Sequence, residues 1–386
     1  MSLTAKGILT AIAVVIAIIV RLSLISHESS DYAYFLEPWY NYIQEHGGFW
    51  ALKDNFSNYT PSYLYLLVLV VTFLANLSKV IAIKLINFPF EILCGFFTYQ
   101  LVKLRYPQGS LPLLALLTVL FAPTLLLNGS FWGQCDIIYT TGLVACLYYL
   151  CKKQENLALI AFGLALSFKQ QALFFLPVLI ILGLKKYISL RSFLWIPTTY
   201  LIAILPSWFA GRSIQDLLFI YVQQAHTFPF LTLNAPNPYL WVSNRYFNSL
   251  APLGILLTIL ILTSFILIIN RIKFQVTAAI IVQIALISVL IVPYCLPKMH
   301  ERYFFAADIL SIIYGFYFPH YFFVPMTITF VSAMSYFPFL LGPVILPMSI
   351  LPILLAGIII ALFFHLKVSL DASRNGNPIY SHSQKG

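Results

Sequence analysis

Long apolar runs, many close to membrane length, alternate along this chain with short gaps that carry lysine and arginine. A helix needs ~20 such residues to cross hydrocarbon. Lipid tolerates only elements that satisfy their own backbone hydrogen bonds. Of the 386 residues, 61% are hydrophobic and only 9% are charged, more apolar surface than a water-facing domain of this length hides. The chain therefore reads as a single all-α polytopic membrane domain, 1–386. The first run, Ile8 to Val20, follows a lone Lys6 and is not followed by a clean small-residue cleavage site, so an uncleaved first helix is expected. The five cysteines have neither metal-ligand nor disulfide spacing and read as small buried apolar residues.

A net charge of +10 suggests nucleic acid, but its distribution argues otherwise. Lys103, Arg105, Lys152, Lys153, Lys185, Lys186, Arg191, Arg271, Lys273 and Lys367 sit in or beside the gaps between apolar runs, with Arg374 and Lys385 in the C-terminal tail. That is the positive-inside pattern, which marks the cytoplasmic side. Threading the chain by parity predicts about twelve helices. Helices 1–7 fill 1–210, interrupted by an outer loop at 27–61. A second outer loop follows at 209–248, then the C-terminal helices at 249–366 and a cytoplasmic tail at 367–386. The run 62–78 is expected to be a short dipping or interfacial helix. The run 157–184 is expected to go out and back as two short helices with Lys169 at their junction. The predicted locale is a cell membrane, with the functional face outside.

Four stretches reach that face. In "SSDYAYFLEPWYNYI" (29–43), Asp31 opens an aromatic segment suited to a membrane interface. It reads either as the N-terminal cap of an amphipathic helix or as a general base. Glu37 is a second acid there and reads as a solvated face residue. In "FWGQCDIIY" (131–139), Trp132 fits an interfacial belt, Gln134 and Asp136 stand at a helix mouth, and Asp136 is either a cap or a functional acid. In "SFKQQ" (167–171), Lys169 and Gln170 interrupt an apolar run. An ionisable group there is a functional candidate, with snorkelling as the plainer account. The densest stretch is "PKMHERYFFAAD" (297–308). Its Lys298, His300 and Arg302 suit a phosphate, and Glu301 suits a sugar hydroxyl or an orienting contact. Arg21, Arg212 and Arg245 are outer-side cations for which headgroup anchoring is an equal reading. Glu91 needs a partner that the sequence does not name.

These stretches, together with "GGFWALKDNFSNYTPSYLYLL", resemble bacterial membrane proteins related to the GPI-anchor mannosyltransferases, of the GT-C class of glycosyltransferases. The resemblance covers most of 27–310 and weakens over the last helices. It implies a GT-C-like fold with two long outer loops carrying interfacial helices, a polyprenyl-phosphate-linked donor and transfer with inversion. It further implies Asp31 as catalytic base, the 209–248 loop as part of the site, and donor or lipid-phosphate contacts at His300, Glu301 and Arg302. Ala306 stands where the family pattern has proline.

The resulting expectation is a glycosyltransferase that passes a hexose, mannose-like, from a polyprenyl phosphate to a glycan, lipid or protein acceptor at the cell surface. No cofactor and no metal site is expected, and membrane lipids rather than nucleic acid are the surroundings. Asp31 is assigned catalysis, Arg302, His300, Lys298 and Lys169 the donor phosphate, and Glu301, Asp136, Gln134, Trp132 and Gln170 substrate contacts or orientation. The rivals are a transporter or flippase of lipid-linked sugars and a non-catalytic scaffold of polysaccharide assembly. A transporter would be expected to show repeats and polar groups near the bilayer midplane, and no repeat is visible.

Overall fold

A computed structural model describes residues 3–225 and 227–374. His226 and the tail beyond Arg374 lie outside the described residues. The described residues are mostly helical, with almost no sheet. Among the described residues, eight helices are long and apolar enough, by length and composition, to cross a membrane: Gly7–Leu24, Lys79–Arg105, Leu111–Trp132, Ser192–Phe209, Asn244–Arg271, Ala278–Cys295, Pro319–Leu340 and Met348–Arg374. Four shorter apolar helices are Pro61–Phe73, Asp136–Cys151, Glu155–Phe168 and Gln170–Leu184. The chain is thus polytopic by its helices, and 62–78 and 157–184 form short elements as expected. Contacts divide it into two units. One comprises the chain up to Val144, Gly163–Gln170 and Ile196–Thr227. The other comprises Ala145–Phe162, Gln171–Trp195 and the chain from Phe228 on.

In the first unit, proline sets several helix starts. Pro61, Pro112 and Pro123 lie in first turns, where a missing N–H costs nothing. The Trp195–Phe209 helix carries Pro206 in its interior. One turn there is rebuilt by a side chain from another helix: Tyr65 Oη donates to Ala203 O at 3.0 Å and accepts from Ser207 N at 3.1 Å. A hydroxyl inserted into the ladder re-satisfies the backbone that the proline disturbs. Gly163 packs so closely on this helix that a Cβ there would lie 2.8 Å from Thr199 Cβ.

Arg21 is buried rather than reaching headgroups. Its Nε donates to Glu91, and its Nη1 and Nη2 donate to Ala17 O and Leu120 O at 2.9 and 2.8 Å. Glu91, also buried, thereby gains the partner that the sequence left unnamed. One pair holds the first helix to the Asn87–Arg105 helix. The attraction within the pair and the hydrogen bonds around it offset the desolvation, and removing either partner strands the other.

In the second unit, the Phe305–Tyr317 helix is buried along its whole length and packs between Ala278–Cys295 and Phe323–Leu340. Thr277 caps the Ala278–Cys295 helix, accepting from Ile280 N at 3.4 Å. The 209–248 stretch contains a helix, Ile214–Ala225, and a short strand, Thr232–Leu233, which pairs in parallel with Met299–His300. The last helix forms at Leu351 rather than near 344, because Gly342 turns with φ +86° and Pro343 and Pro347 follow. It then runs on to Arg374, so Lys367 lies on a helix and not in a tail.

Arg21→Met should lower thermal stability in detergent by about 3–5 kcal/mol, the scale of stranding a buried charge. Adding Glu91→Gln should recover part of that loss. An Arg21→Met protein as stable as wild type would contradict the pair.

Candidate functional site

Two π-helical stretches bring the first site together. In each the backbone widens to i→i+5 bonding, a local distortion frequent at functional sites. Tyr32–Leu36 follows the first helix, and Leu126–Trp132 ends the third apolar run. Asp31 does not cap its helix. Ser29 does so instead, its Oγ accepting from Tyr32 N at 3.2 Å and donating to Trp132 O at 2.6 Å. The Asp31 side chain is left to meet the second stretch. Its Oδ2 accepts from Trp132 Nε1 at 2.9 Å and from Gln134 Nε2 at 2.5 Å. Trp132 and Gln134 are buried, whereas Asp31 is only half-buried. The carboxylate is thus the accessible end of a fixed arrangement.

Gln134 is itself held at three points. Its Oε1 accepts from Tyr59 Oη at 3.1 Å, its carbonyl accepts from Asn87 Nδ2 at 2.9 Å, and its N–H donates to Asn128 O at 2.9 Å. The turn between Trp132 and Gln134 requires Gly133, whose φ is +91° and whose added Cβ would lie 3.2 Å from Lys84 Cε. Lys84 is fully buried and clasps three carbonyls, of His27, Ser130 and Phe131, at 2.5, 3.0 and 2.7 Å. It ties the end of the first helix to the second π stretch. The His27 ring stacks on Phe131 with centroids 3.8 Å apart. Burial, and then the Lys84 charge, push the His27 pKa down.

Beside this lies an ion pair. Lys169 Nζ donates to Asp136 Oδ1 at 2.7 Å, and Asn128 Nδ2 donates to Asp136 Oδ2 at 2.8 Å. All three residues are buried. Lys169 therefore does not snorkel outward, and its ammonium also stands 5.1 Å from the Tyr59 ring centre. Tyr59 packs in turn on Trp39 and Tyr63. Gln170 follows half-buried at the start of a 3₁₀ turn. Glu37 faces Lys79 at 3.8 Å, a partly exposed pair worth little. Arg212 is buried, donating to Asn55 Oδ1 at 2.5 Å, and burial pushes its pKa down.

The second unit carries its own cluster. Lys298 adopts φ +67°, donates its N–H to Leu231 O at 2.8 Å, and stands 5.6 Å from the Phe247 ring centre. His300 lies between Phe228 and Tyr303, with centroids 5.2 and 5.0 Å away. Arg302 faces Glu301 at 3.8 Å. Asp308 accepts from Ser332 Oγ at 2.7 Å. Arg245, on the surface, donates to Tyr246 Oη at 2.7 Å. Among the described residues no His, Cys, Asp or Glu cluster suited to a metal occurs.

The structure therefore joins Asp31, Trp132, Gln134, Asp136 and Lys169 in one unit, with Lys298, His300, Glu301 and Arg302 grouped in the other. Sequence reasoning missed Ser29, Tyr59, Lys84, Asn87 and Asn128. Lys84 carried the same signal as Lys169, an ionisable group in an apolar run. Tyr59, one of 24 tyrosines, carried none. Neither family models nor curated proteins match this chain.

Tyr32, buried beside the site, has its pKa pushed up to about 12, first by burial and then by the Glu37 charge. The unfolded chain releases this proton near pH 10 and the folded one near 12, so the stability the phenol contributes is lost as pH rises through that window. Alkaline unfolding curves between pH 10 and 12 should flatten in Tyr32→Phe. Unchanged curves would contradict a native phenol held neutral.

Proposed function

We propose that this protein is an integral-membrane glycosyltransferase of the GT-C kind, with about twelve helical elements in its membrane domain. It takes a hexose from a polyprenyl phosphate and gives it to an acceptor at the outer face of a bacterial cytoplasmic membrane. The observation that carries this reading is the Asp31 carboxylate, released from capping by Ser29 and aimed by two buried N–H donors while half-open to approach.

In this reading the acceptor hydroxyl attacks the anomeric carbon. The new oxygen–carbon bond forms as the carbon–phosphate oxygen bond breaks, with inversion. The hydroxyl proton passes to Asp31, and the bonding electrons leave with the polyprenyl phosphate. Positioned proton removal is worth about 10²–10⁴-fold. The departing phosphate gains negative charge, and cations placed for it favour the transition state over the ground state. Lys298, His300 and Arg302 have the chemistry for that role, and the resemblance of the His300–Arg302 stretch to that class supports it. Lys169 already holds Asp136, so it would share or exchange that partner to reach a phosphate. Glu301, Asp136, Gln134, Trp132 and Gln170 are assigned orientation or substrate contact.

A strain lacking the protein should accumulate an under-glycosylated surface acceptor, and the wild-type gene should restore it. Asp31→Asn keeps the size and polarity of the side chain but accepts no proton, and should fail to restore it while reaching the membrane at normal abundance. Full restoration by Asp31→Asn would remove the base assignment. In a purified assay with a polyprenyl-phosphate hexose, Arg302→Ala should slow transfer by about a hundredfold. Near-normal transfer would remove Arg302 from the donor site, and movement of intact donor across vesicles without transfer would favour a flippase.

A further inference from the structure

Within the second unit, the Phe247–Arg271 and Leu351–Arg374 helices both pack on the Ala278–Cys295 helix and meet each other at isolated points. The Phe265 and Phe363 rings meet edge to face with centroids 5.5 Å apart, and further along Gln275 N donates to Ser373 Oγ at 3.0 Å. A groove of about 660 Å³ opens along this seam, with Ile291 of the Ala278–Cys295 helix also lining it. One wall carries Leu260, Ser264, Ile268 and Ile272, and the other carries Phe363, Lys367 and Asp371. Both sets follow the i, i+4 spacing that places residues in one ridge of a helix.

The length and chemistry of the groove select its occupant. From Leu260 to Ile272 the wall rises ~18 Å at 1.5 Å per residue. That is close to the hydrocarbon depth of one leaflet, half of ~30 Å. The lining is apolar until Lys367 and Asp371, which lie towards the end where Arg271 and Arg374 close the two helices. A single lipid has that layout, a chain of leaflet length below one polar head. Lys367 and Asp371 stand ~6 Å apart along the axis, and neither is in an ion pair among the described residues. A cation beside an anion complements a zwitterion, phosphate on Lys367 and ammonium on Asp371. A headgroup that is only anionic would give Asp371 no partner.

We propose that this groove is a binding site for one zwitterionic aminophospholipid of the bilayer, its acyl chain along Leu260–Ile272 and its headgroup across Lys367 and Asp371. The site is independent of the sugar-transfer reading. Its test is native mass spectrometry of the full chain released from bilayers containing equal phosphatidylethanolamine and phosphatidylglycerol. Wild type should retain one phosphatidylethanolamine in preference to phosphatidylglycerol. Lys367→Gln/Asp371→Asn, two surface polar changes that leave packing intact, should abolish that preference and cut retention at least about tenfold. Ser264→Trp, with helicity checked by circular dichroism, should fill the groove and remove the lipid. Equal retention of both lipids by wild type, or unchanged retention in the double variant, would overturn the proposal. A dimer that Ser264→Trp splits would assign the groove to a second copy and overturn it equally.

Discussion

The two hydrogen bonds that Trp132 and Gln134 donate to Asp31 join segments of the first unit about a hundred residues apart, and the candidate site there depends on them. An indole and an amide N–H converging on one carboxylate oxygen fix both its direction and its rotamer. They do so only if the 126–132 backbone is held in place. Lys84 performs that holding, spending its three ammonium hydrogens on three carbonyls, and Gly133 permits the turn that follows. A buried lysine with all its donors satisfied is affordable in a way that an unpaired one is not.

A second buried charge, Lys169, meets Asp136 a few residues further along, and Tyr59 touches both sides, bonding Gln134 and lying under the Lys169 ammonium. The candidate site is therefore one polar network whose members are almost all enclosed. Asp31 is its half-open end. Such a network rigidifies when every member is satisfied, and loses more than the sum of its pairs when one is removed. Glu37 is half-buried like Asp31, but its pairing with Lys79 at 3.8 Å is loose and partly exposed, and so it lacks the fixed donors that Asp31 has.

Much of the helical layout was legible because apolar length and basic gaps report it directly. The break at Lys169 falls where the sequence puts it. Less legible was what each helix faces. Helices apolar all round carry no periodic stripe to distinguish lipid from protein. Arg21 thus read equally as a headgroup anchor, and Glu91 had no visible partner until the fold brought the two together. Capping was legible only as a rule: "SSD" offers two kinds of cap, and the local backbone chose Ser29. The π-helical widening that presents Asp31 and Trp132 to each other leaves no composition signal, and Tyr59 reaches the site through tertiary contact alone.

In the proposed transfer reaction, Trp132 acts on the chemistry through Asp31. The most direct measurement of this is the kinetics of Trp132→Phe, which keeps the ring and removes the N–H that orients the carboxylate. With a polyprenyl-phosphate hexose as donor, kcat should fall by about 10–100-fold, the scale of a small misplacement of a catalytic group, while KM for the donor stays near wild type. A Trp132→Phe protein with wild-type kcat, or one that loses only donor affinity, would contradict this proposal.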